Sequence, residues 1–205
     1  MSTKPKLIVI LGPTASGKTD LSIKFTKKFN GEVVSADSRQ VYKGMDIGTG
    51  KITKKEMLGI PHWLLNVANP KTRFTVAQYQ KLALKAIKNI QKRNKIPILT
   101  GGTGFYIQSV VDGTLIPEVK PDWKLRKKLE KLTNQQLFKK LEKLDPNRAK
   151  SIDRNNPRRL TRALEIVTKT GRPVPLSCES PASAKFNVLE IGIKKSPKKL
   201  KKLIN

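Results

Sequence analysis

The first residues that could do chemistry form a glycine-rich segment near the start of the chain. Residues 12–19 read GPTASGKT, which matches the pattern G-x-x-x-x-G-K-[S/T]. In this pattern backbone N–H groups surround phosphate oxygens, the lysine reaches the distal phosphates and the final hydroxyl can hold Mg²⁺. The predicted phosphate-binding residues are Gly12, Pro13, Thr14, Ala15, Ser16, Gly17, Lys18 and Thr19, with Thr19 as the metal ligand. The segment predicts a diphosphate- or triphosphate-bearing ligand.

A carboxylate and a glycine run follow two further apolar segments. Asp37 comes directly after Glu32–Ala36, and Gly101-Gly102-Thr103-Gly104 comes directly after Ile96–Thr100. Asp37 could be a metal ligand, a general base for a nucleophile arriving at the phosphate ester, or the N-cap of the following segment. The glycine run allows a ligand to approach the backbone closely, although a plain strand-to-helix turn would use the same residues.

A cationic helix face is predicted later in the chain. From Pro157 onward, a 100° step per residue places Arg158, Arg159 and Arg162 on one arc, away from an apolar stripe. Between Lys120 and Arg172 there are 17 Lys and Arg against 6 Asp and Glu. Arginine forks suit phosphate and guanine, so this face favours nucleic-acid binding over simple solvation. His62 has no Cys or His at ligand spacing and is expected to be structural.

These residues need elements to position them, and the first 118 residues alternate between strand and helix patterns. The predicted strands are Leu7–Leu11, Glu32–Ala36 and Ile96–Thr100, and the predicted helices are Leu21–Phe29 and Thr75–Arg93. Such alternation predicts an α/β fold, with a P-loop NTPase-like parallel sheet flanked by helices. Ligands should then lie at the carboxyl ends of the strands, just after Leu11, Ala36 and Thr100.

The pattern becomes purely helical after Lys120, which predicts a small all-helical insert. Its last helix should end at a Gly171 C-cap, before a linker at residues 173–181. Phe186–Ile193 alternates and should return to the sheet. We therefore predict three segments: a P-loop core (residues 1–119), a helical insert with its linker (120–183) and a return to the core (184–205). A final helix, with Ser196 as N-cap and Pro197 at N1, stops after about two turns, so we expect a shortened chain; a frayed basic tail is the alternative.

Composition narrows the class of protein. The 205 residues carry 43 Lys and Arg against 15 Asp and Glu, a formal charge of +28. A polyanionic partner, nucleic acid first, would offset the self-repulsion, although a lysine-rich genome bias would give part of the same excess. The single cysteine, Cys178, cannot form an intramolecular disulfide, and no apolar run approaches the roughly 20 residues needed to cross a bilayer. We expect a cytoplasmic protein with no membrane contact.

Five segments together resemble the tRNA dimethylallyltransferase (tRNA isopentenyltransferase) family. They are Gly12–Thr19 (GPTASGKT), Ser35–Lys51 (SADSRQVYKGMDIGTGK), Ile60–His62 (IPH), Gly101–Tyr106 (GGTGFY) and Asn156–Glu165 (NPRRLTRALE). The resemblance runs from about Leu7 to the last residue, and the DSRQVYKGMDIGTGK block is far more specific than the glycine-rich loop alone.

The resemblance implies a reaction and a role for each segment. A dimethylallyl group would pass from dimethylallyl diphosphate to N6 of the adenosine 3′-adjacent to the anticodon, with release of diphosphate. The catalytic residues would be Asp37, which would take the N6 proton, and Thr103, which would line the channel between the substrates. The residues implied to contact the tRNA anticodon stem-loop are Asp37, Ser38, Arg39, Gln40, Thr103, Arg126, Arg158, Arg159, Leu160, Thr161 and Arg162. The enzyme would use Mg²⁺ and act as a monomer.

Two other functions remain open at this point. A small-molecule P-loop kinase would use the same phosphate-binding loop but would bind a nucleoside triphosphate and transfer phosphate. A catalytically inactive RNA-binding fragment would keep the basic insert without a working site.

Overall fold

The computed structural model describes residues 4–114, 116–117, 119–174 and 186–204. These residues form two compact units, one within residues 1–114 and 180–205 and the other within residues 115–179. Cys178 and most of the predicted linker lie outside the described residues.

The first unit is built on a five-stranded parallel sheet. Its strands, in chain order, are β1 (Lys6–Leu11), β2 (Gly31–Ser35), β3 (His62–Trp63), β4 (Ile96–Gly101) and β5 (Asn187–Gly192). Their spatial order is β3-β2-β4-β1-β5, and every pairing is parallel. The predicted α/β class with a parallel sheet is confirmed, and the predicted return of the chain to the sheet is β5, beside β1.

Helices cover both faces of this sheet. They are α1 (Lys18–Phe29), α2 (Val76–Lys92) and α3 (Gly104–Val111). A further helix, α8 (Pro197–Ile204), follows β5 in the chain. In β1, Leu7 and Val9 pack into the core shared with α2 and α3, whereas Ile8 and Ile10 pack with apolar residues of α1. Burial on both faces explains why β1 reads as a continuous apolar run. A capping box of Thr75 and Gln78 fixes the start of α2.

A buried carboxylate lies at the amino end of the sheet, away from the predicted ligand edge. Glu32, in β2, accepts hydrogen bonds from both terminal guanidinium nitrogens of Arg93 (2.6 and 2.7 Å), from Trp63 Nε1 (2.8 Å) and from Lys95 Nζ (3.0 Å). Burial alone would raise the pKa of Glu32, but these hydrogen bonds outweigh it and lower the pKa to about 2. The network connects β2 to β3 through Trp63, to the end of α2 through Arg93 and to the residue before β4 through Lys95.

The second unit is helical. It contains α4 (Trp123–Leu129), α5 (Asn134–Leu144), α6 (Pro146–Ser151) and α7 (Pro157–Thr170) around a core of leucines from α4, α5 and α7. Gly171, at φ 62°, caps α7 as predicted. The sequence pattern did not predict α6, because this six-residue helix buries only Ala149 and so has no apolar period. Its start is fixed by the Asp145 side chain, which accepts from the backbone N–H of Arg148.

Across the described residues, no helix has the length and apolar character needed to span a bilayer.

Candidate active site at the carboxyl edge of the sheet

Three neighbouring strands end at one edge of the first unit. The order β2-β4-β1 places the segments after Ser35, Gly101 and Leu11 side by side. Parallel neighbours lie about 4.8 Å apart, so the ends of β1 and β2 are roughly 10 Å apart with the end of β4 between them. The structure therefore brings the predicted phosphate-binding loop (residues 12–19), Asp37 and the glycine run to a common edge.

The turn after β4 is joined to the turn after β2. Thr103 N donates to Ala36 O (3.1 Å), and Thr103 Oγ1 accepts from Ser38 N (3.0 Å). A Cβ at Gly101 would overlap the Ala36 carbonyl, so this close approach requires glycine. Thr103 is therefore held against the segment that carries Asp37.

Asp37 has one oxygen in a turn. Its Oδ1 accepts from Arg39 N (2.8 Å) and Gln40 N (3.2 Å), whereas no described residue donates a hydrogen bond to its Oδ2. The capping role considered for this residue is thus present, although the segment it caps is a turn rather than a helix. The side chain is only partly buried, so Oδ2 is accessible to a hydrogen-bond donor from outside the chain.

The predicted phosphate-binding loop leaves several donors available. Ala15 (φ 59°) and Gly17 (φ 94°) have left-handed backbone conformations, and α1 has no side-chain N-cap. The hydroxyl of Ser16 is buried without a hydrogen-bond partner among the described residues. A positive helix end with unused amide donors and an unpaired buried hydroxyl suits an anion.

Two lysines lie against carbonyl oxygens of this loop. Lys18 Nζ donates to Pro13 O, and Lys195 Nζ donates to Ala15 O at 3.3 Å. Lys18 belongs to the sequence pattern. Lys195, which follows β5, was missed, because only the pairing of β5 with β1 brings it to the loop and no local pattern marks that pairing.

Asp37 is electrostatically coupled to the loop and to an aromatic residue. Burial lowers the pKa of Lys18, and the negative charge of Asp37 opposes this effect. Burial raises the pKa of Tyr106 to about 12, with smaller contributions from Tyr42 and Asp37. The carboxylate thus lies within electrostatic range of the lysine at the loop.

The segment after Asp37 is held by two polar side chains. Lys51, almost fully buried, donates 2.7 Å hydrogen bonds to Tyr42 O, Asp46 Oδ1 and Asn66 Oδ1. Gln40 Nε2 donates to Thr49 O (3.3 Å) and Gly50 O (3.1 Å). The segment borders a cavity of about 550 Å³ lined by Arg39 and residues 44–49. Lys51 was not predicted to have a role, because a buried lysine cannot be told from an exposed one by sequence.

The oxygen ligands at this edge suit Mg²⁺ only if a phosphate ligand supplies further oxygens to the same ion. Among the residues that the structure describes, no cluster of three His, Cys, Asp or Glu could hold a metal. Thr19, in the first turn of α1, has an exposed side chain. Mg²⁺ commonly takes few protein ligands and completes its shell with water and phosphate oxygens.

In the second unit the predicted RNA-contacting residues fall into different environments. Arg158 and Arg159 are exposed, Thr161 is partly buried and Leu160 is fully buried. Any contact between Leu160 and RNA would therefore be limited to its backbone. Arg162 turns back toward the buried Glu165. The prediction that the three arginines face away from the core therefore holds for Arg158 and Arg159 but not for Arg162.

A buried carboxylate organises Arg126 and Arg162. Glu165 accepts from Arg126 Nε (2.8 Å) and Nη2 (2.7 Å), from Arg162 Nη1 (2.5 Å) and from Asp122 N (2.6 Å). Burial would raise the pKa of Glu165, but these contacts lower it to about 2. Both arginines keep part of their side chain exposed, at 20% and 34%. Glu165 was missed as a functional candidate. Its position in α7 does not reveal that Arg126, 39 residues earlier in the chain, binds its side chain.

Comparison with known proteins gives a consistent result. The IPP transferase family profile matches residues 40–205. Among curated relatives, a tRNA dimethylallyltransferase of Thermoanaerobacter sp. (strain X514) is 47% identical over 173 residues, which cover 82% of this chain and 55% of the relative. One from Bacillus cytotoxicus is 45% identical over 195 residues, covering 93% of this chain and 62% of the relative.

Solved structures agree with the sequence relatives. The full-length tRNA isopentenylpyrophosphate transferase of Bacillus halodurans is similar at 44% identity and TM-score 0.60, over 92% of this chain and 60% of that one. A eukaryotic dimethylallyltransferase acting on tRNA is similar at 35% identity and TM-score 0.79, over 96% of this chain and 50% of that one. The chain thus spans only about 55–62% of the length of these two curated relatives.

Proposed function

Because the chain belongs to the IPP transferase family, we propose that it transfers a dimethylallyl group from dimethylallyl diphosphate to N6 of the adenosine 3′-adjacent to the anticodon of a tRNA. One observation carries the proposal. The Thr103 contacts hold the Asp37 segment at the same sheet edge as the phosphate-binding loop, and the charge of Asp37 acts on Lys18.

The geometry suits an alkyl transfer between two fixed groups. In the proposed step the N6–carbon bond forms, the bond from that carbon to the diphosphate oxygen breaks, and the proton lost from N6 goes to Asp37 Oδ2. An adenine amine is a poor nucleophile, so a base within hydrogen-bond reach promotes the step. The roughly 10 Å between the ends of β1 and β2 leaves room for a five-carbon group between the diphosphate and the amine.

The loop residues would hold the leaving group. The amides at the start of α1, Lys18 and the buried Ser16 hydroxyl would receive diphosphate oxygens, and Thr19 would contribute its hydroxyl to Mg²⁺. When bound, Mg²⁺ would neutralise charge on the departing diphosphate.

The second unit would supply the RNA-binding surface. Arg158 and Arg159 are exposed at the start of α7, and Glu165 fixes the guanidinium groups of Arg126 and Arg162. The proposed partner is a tRNA anticodon stem-loop, in which the target base can leave the stack more cheaply than from a duplex. This role would place the chain in the cytoplasm, acting as a monomer.

The kinase alternative is not favoured, because the curated relatives are tRNA dimethylallyltransferases. Calorimetric titration with dimethylallyl diphosphate and with ATP separates the two functions. We expect tighter binding of dimethylallyl diphosphate, and preferential ATP binding with phosphate transfer would contradict the proposal.

The proposed base can be tested with two substitutions at one position. Asp37→Asn retains an oxygen that can accept from Arg39 N and Gln40 N, so the turn should persist, but the amide cannot take the N6 proton. We expect prenylation of an anticodon stem-loop RNA to fall by about 10²-fold or more, with an unchanged thermal unfolding midpoint. Asp37→Ala should lose the same activity and also about 1 kcal/mol of stability through the lost cap.

The control is Glu56→Gln, which removes the charge of an exposed carboxylate whose hydrogen bonds go to Thr53 and should leave the rate unchanged. Wild-type-like turnover of the Asp37→Asn variant would exclude Asp37 as the base. RNA binding without prenylation by the wild-type chain would instead support the inactive RNA-binding function.

A further inference from the structure

Lys195 lies beside the phosphate-binding loop although the two are far apart in sequence. Its Nζ donates to Ala15 O at 3.3 Å, and its side chain is partly buried. Lys195 follows β5, and β5 pairs with β1, the strand that leads into the loop. The sheet itself therefore brings a second ammonium group to the loop.

The backbone on either side of the contact fixes this position. Ile193 N donates to Leu11 O at 2.8 Å, which extends the pairing of β5 and β1 by one residue. A Cβ at Gly12 would lie 2.8 Å from Ile193 O, so the segment after β5 runs tightly against the first residue of the loop. Lys195 comes two residues later, so its backbone is held beside the loop and its side chain can reach it.

The contact of Lys195 resembles that of Lys18. Lys18 Nζ donates to Pro13 O, so two lysines bind carbonyl oxygens two residues apart in the same loop. A neutral carbonyl is a weaker acceptor for an ammonium group than a phosphate oxygen, because the bond to phosphate is assisted by charge on both partners. A diphosphate in the loop would compete for both lysines.

The chemistry of the leaving group gives a use for a second cation. Breaking the carbon–oxygen bond adds negative charge to a diphosphate that is already highly charged. Fixed cations stabilise such developing charge more effectively than mobile solvent. The Asp37 carboxylate at the same edge has the opposite effect on a nearby anion, which increases the need for positive charge at the loop.

We propose that Lys195 is a second diphosphate-binding lysine, which joins Lys18 in holding the diphosphate of the prenyl donor and the released pyrophosphate. The inference rests on the proposed function, because it names a further residue of the same site. It assigns the segment after β5 to donor binding, alongside the loop after β1.

Lys194 offers a matched control. It is adjacent in sequence and carries the same charge, but it is exposed and makes no hydrogen bond within the part of the chain that the structure describes. Lys195→Gln and Lys194→Gln change the net charge equally, so long-range electrostatics should affect the two variants alike. Lys195→Arg keeps the charge at the position of interest.

The test is calorimetric titration with inorganic pyrophosphate and Mg²⁺ on the wild-type chain and all three variants. We expect Lys195→Gln to bind roughly tenfold more weakly or worse, as for loss of one charge-assisted hydrogen bond. Lys194→Gln should stay within about twofold of wild type, and Lys195→Arg within a few-fold. Circular dichroism shows whether each variant is folded. The rise in melting temperature on adding pyrophosphate gives an independent measure of binding.

The outcomes separate this inference from the proposed function. Equal pyrophosphate affinity of wild type and Lys195→Gln, or equal losses in both glutamine variants, would overturn the role of Lys195, whether or not the wild-type chain prenylates RNA. If wild type binds pyrophosphate through Lys195 but does not prenylate an anticodon stem-loop, the role of Lys195 as a diphosphate ligand stands and the prenyl-transfer function fails. No pyrophosphate binding by wild type would overturn both.

Discussion

At the scale of single residues, Glu32 and Glu165 are two buried carboxylates that each bind two cationic side chains. Glu32 serves the sheet, at the edge away from the candidate site, whereas Glu165 holds Arg126 and Arg162 in the helical unit. The Glu165 network restricts two long side chains in the free protein, which would lower the entropic cost of the proposed RNA binding. The negative charge of Glu165 also neutralises one of the two positive charges of Arg126 and Arg162.

The Glu165 network makes a prediction about pH. Its folded pKa of about 2 lies below the usual 4.5, so its stabilisation is complete above about pH 4.5 and declines as the pH falls toward 2. Glu165→Gln should therefore lower the free energy of unfolding by about 3 kcal/mol at pH 7, and by clearly less at pH 2.5. Urea unfolding at both pH values measures the difference.

Glu142→Gln is the control, because Glu142 is an exposed residue of the same unit and its substitution should change stability little at either pH. An equal loss for Glu165→Gln at pH 7 and pH 2.5 would show that packing, rather than the ionised pair, accounts for the effect.

At the scale of elements, the turn after β4 is the part that the candidate site depends on most. It lies between the turns after β2 and β1, and a Cβ at Gly101 would overlap the Ala36 backbone. A side chain there would force apart β2 and β4 at the edge where Asp37 and Thr103 meet. The displacement should be confined to the candidate site and should lower the free energy of unfolding.

Gly101→Ala is therefore expected to destabilise the chain by about 1–3 kcal/mol or more and to lower the proposed prenyl transfer by more than the loss of folded protein explains. Gly48→Ala is the control for stability, because a Cβ at Gly48 would have no heavy atom within 4 Å. Thermal unfolding and single-turnover prenylation measure the two effects. Normal stability of Gly101→Ala would mean that the turn moves freely, and the tight approach would then not be required.

The sequence predicted most elements of the first unit because their patterns are local. The predicted helix Thr75–Arg93 corresponds to α2 with its two caps, and the run Leu7–Leu11 lies within β1. The two-residue strand β3 was not predicted, because a strand this short has no alternation to detect. Likewise α6, with one buried residue, gave no apolar period.

The candidate site could be predicted only in part, from the rule that ligands bind at the carboxyl ends of parallel strands. That rule puts the ends of β1, β2 and β4 at one edge, but it does not give the order of strands in the sheet. The strand order places β4 between Asp37 and the loop after β1. It also places Lys195, which follows β5, beside that loop. The partners of Glu165 and Lys51 depend on tertiary packing, which no local pattern encodes.

At the scale of the whole molecule, the charge of +28 implies strong electrostatic attraction to RNA. Much of that attraction is independent of which cations touch phosphate, so affinity alone does not identify the RNA-binding face. The salt dependence does, because each phosphate that the protein neutralises releases counterions.

Replacing both Arg158 and Arg159 with Gln should make the slope of log affinity against log salt shallower by about 0.7–0.9 for each phosphate that the variant no longer neutralises. Fluorescence anisotropy with a labelled anticodon stem-loop, in a salt series from low to physiological concentration, would measure this slope. Lys139 and Lys143, exposed in α5 of the same unit, provide a double Gln control with the same change in charge. Equal changes in slope for both double variants would contradict a specific RNA-binding face at the start of α7.

The pairing of β1 with β5 also affects how the chain is made. β1 is synthesised first, yet one of its two edges pairs with residues 187–192. At about 5–20 residues per second, a ribosome needs roughly 10–40 s to deliver that partner. During this interval an apolar strand has an open edge to which another chain could add. We expect the nascent protein to engage chaperones until β5 emerges, and the yield of folded protein to fall when translation is slow or chaperones are limiting.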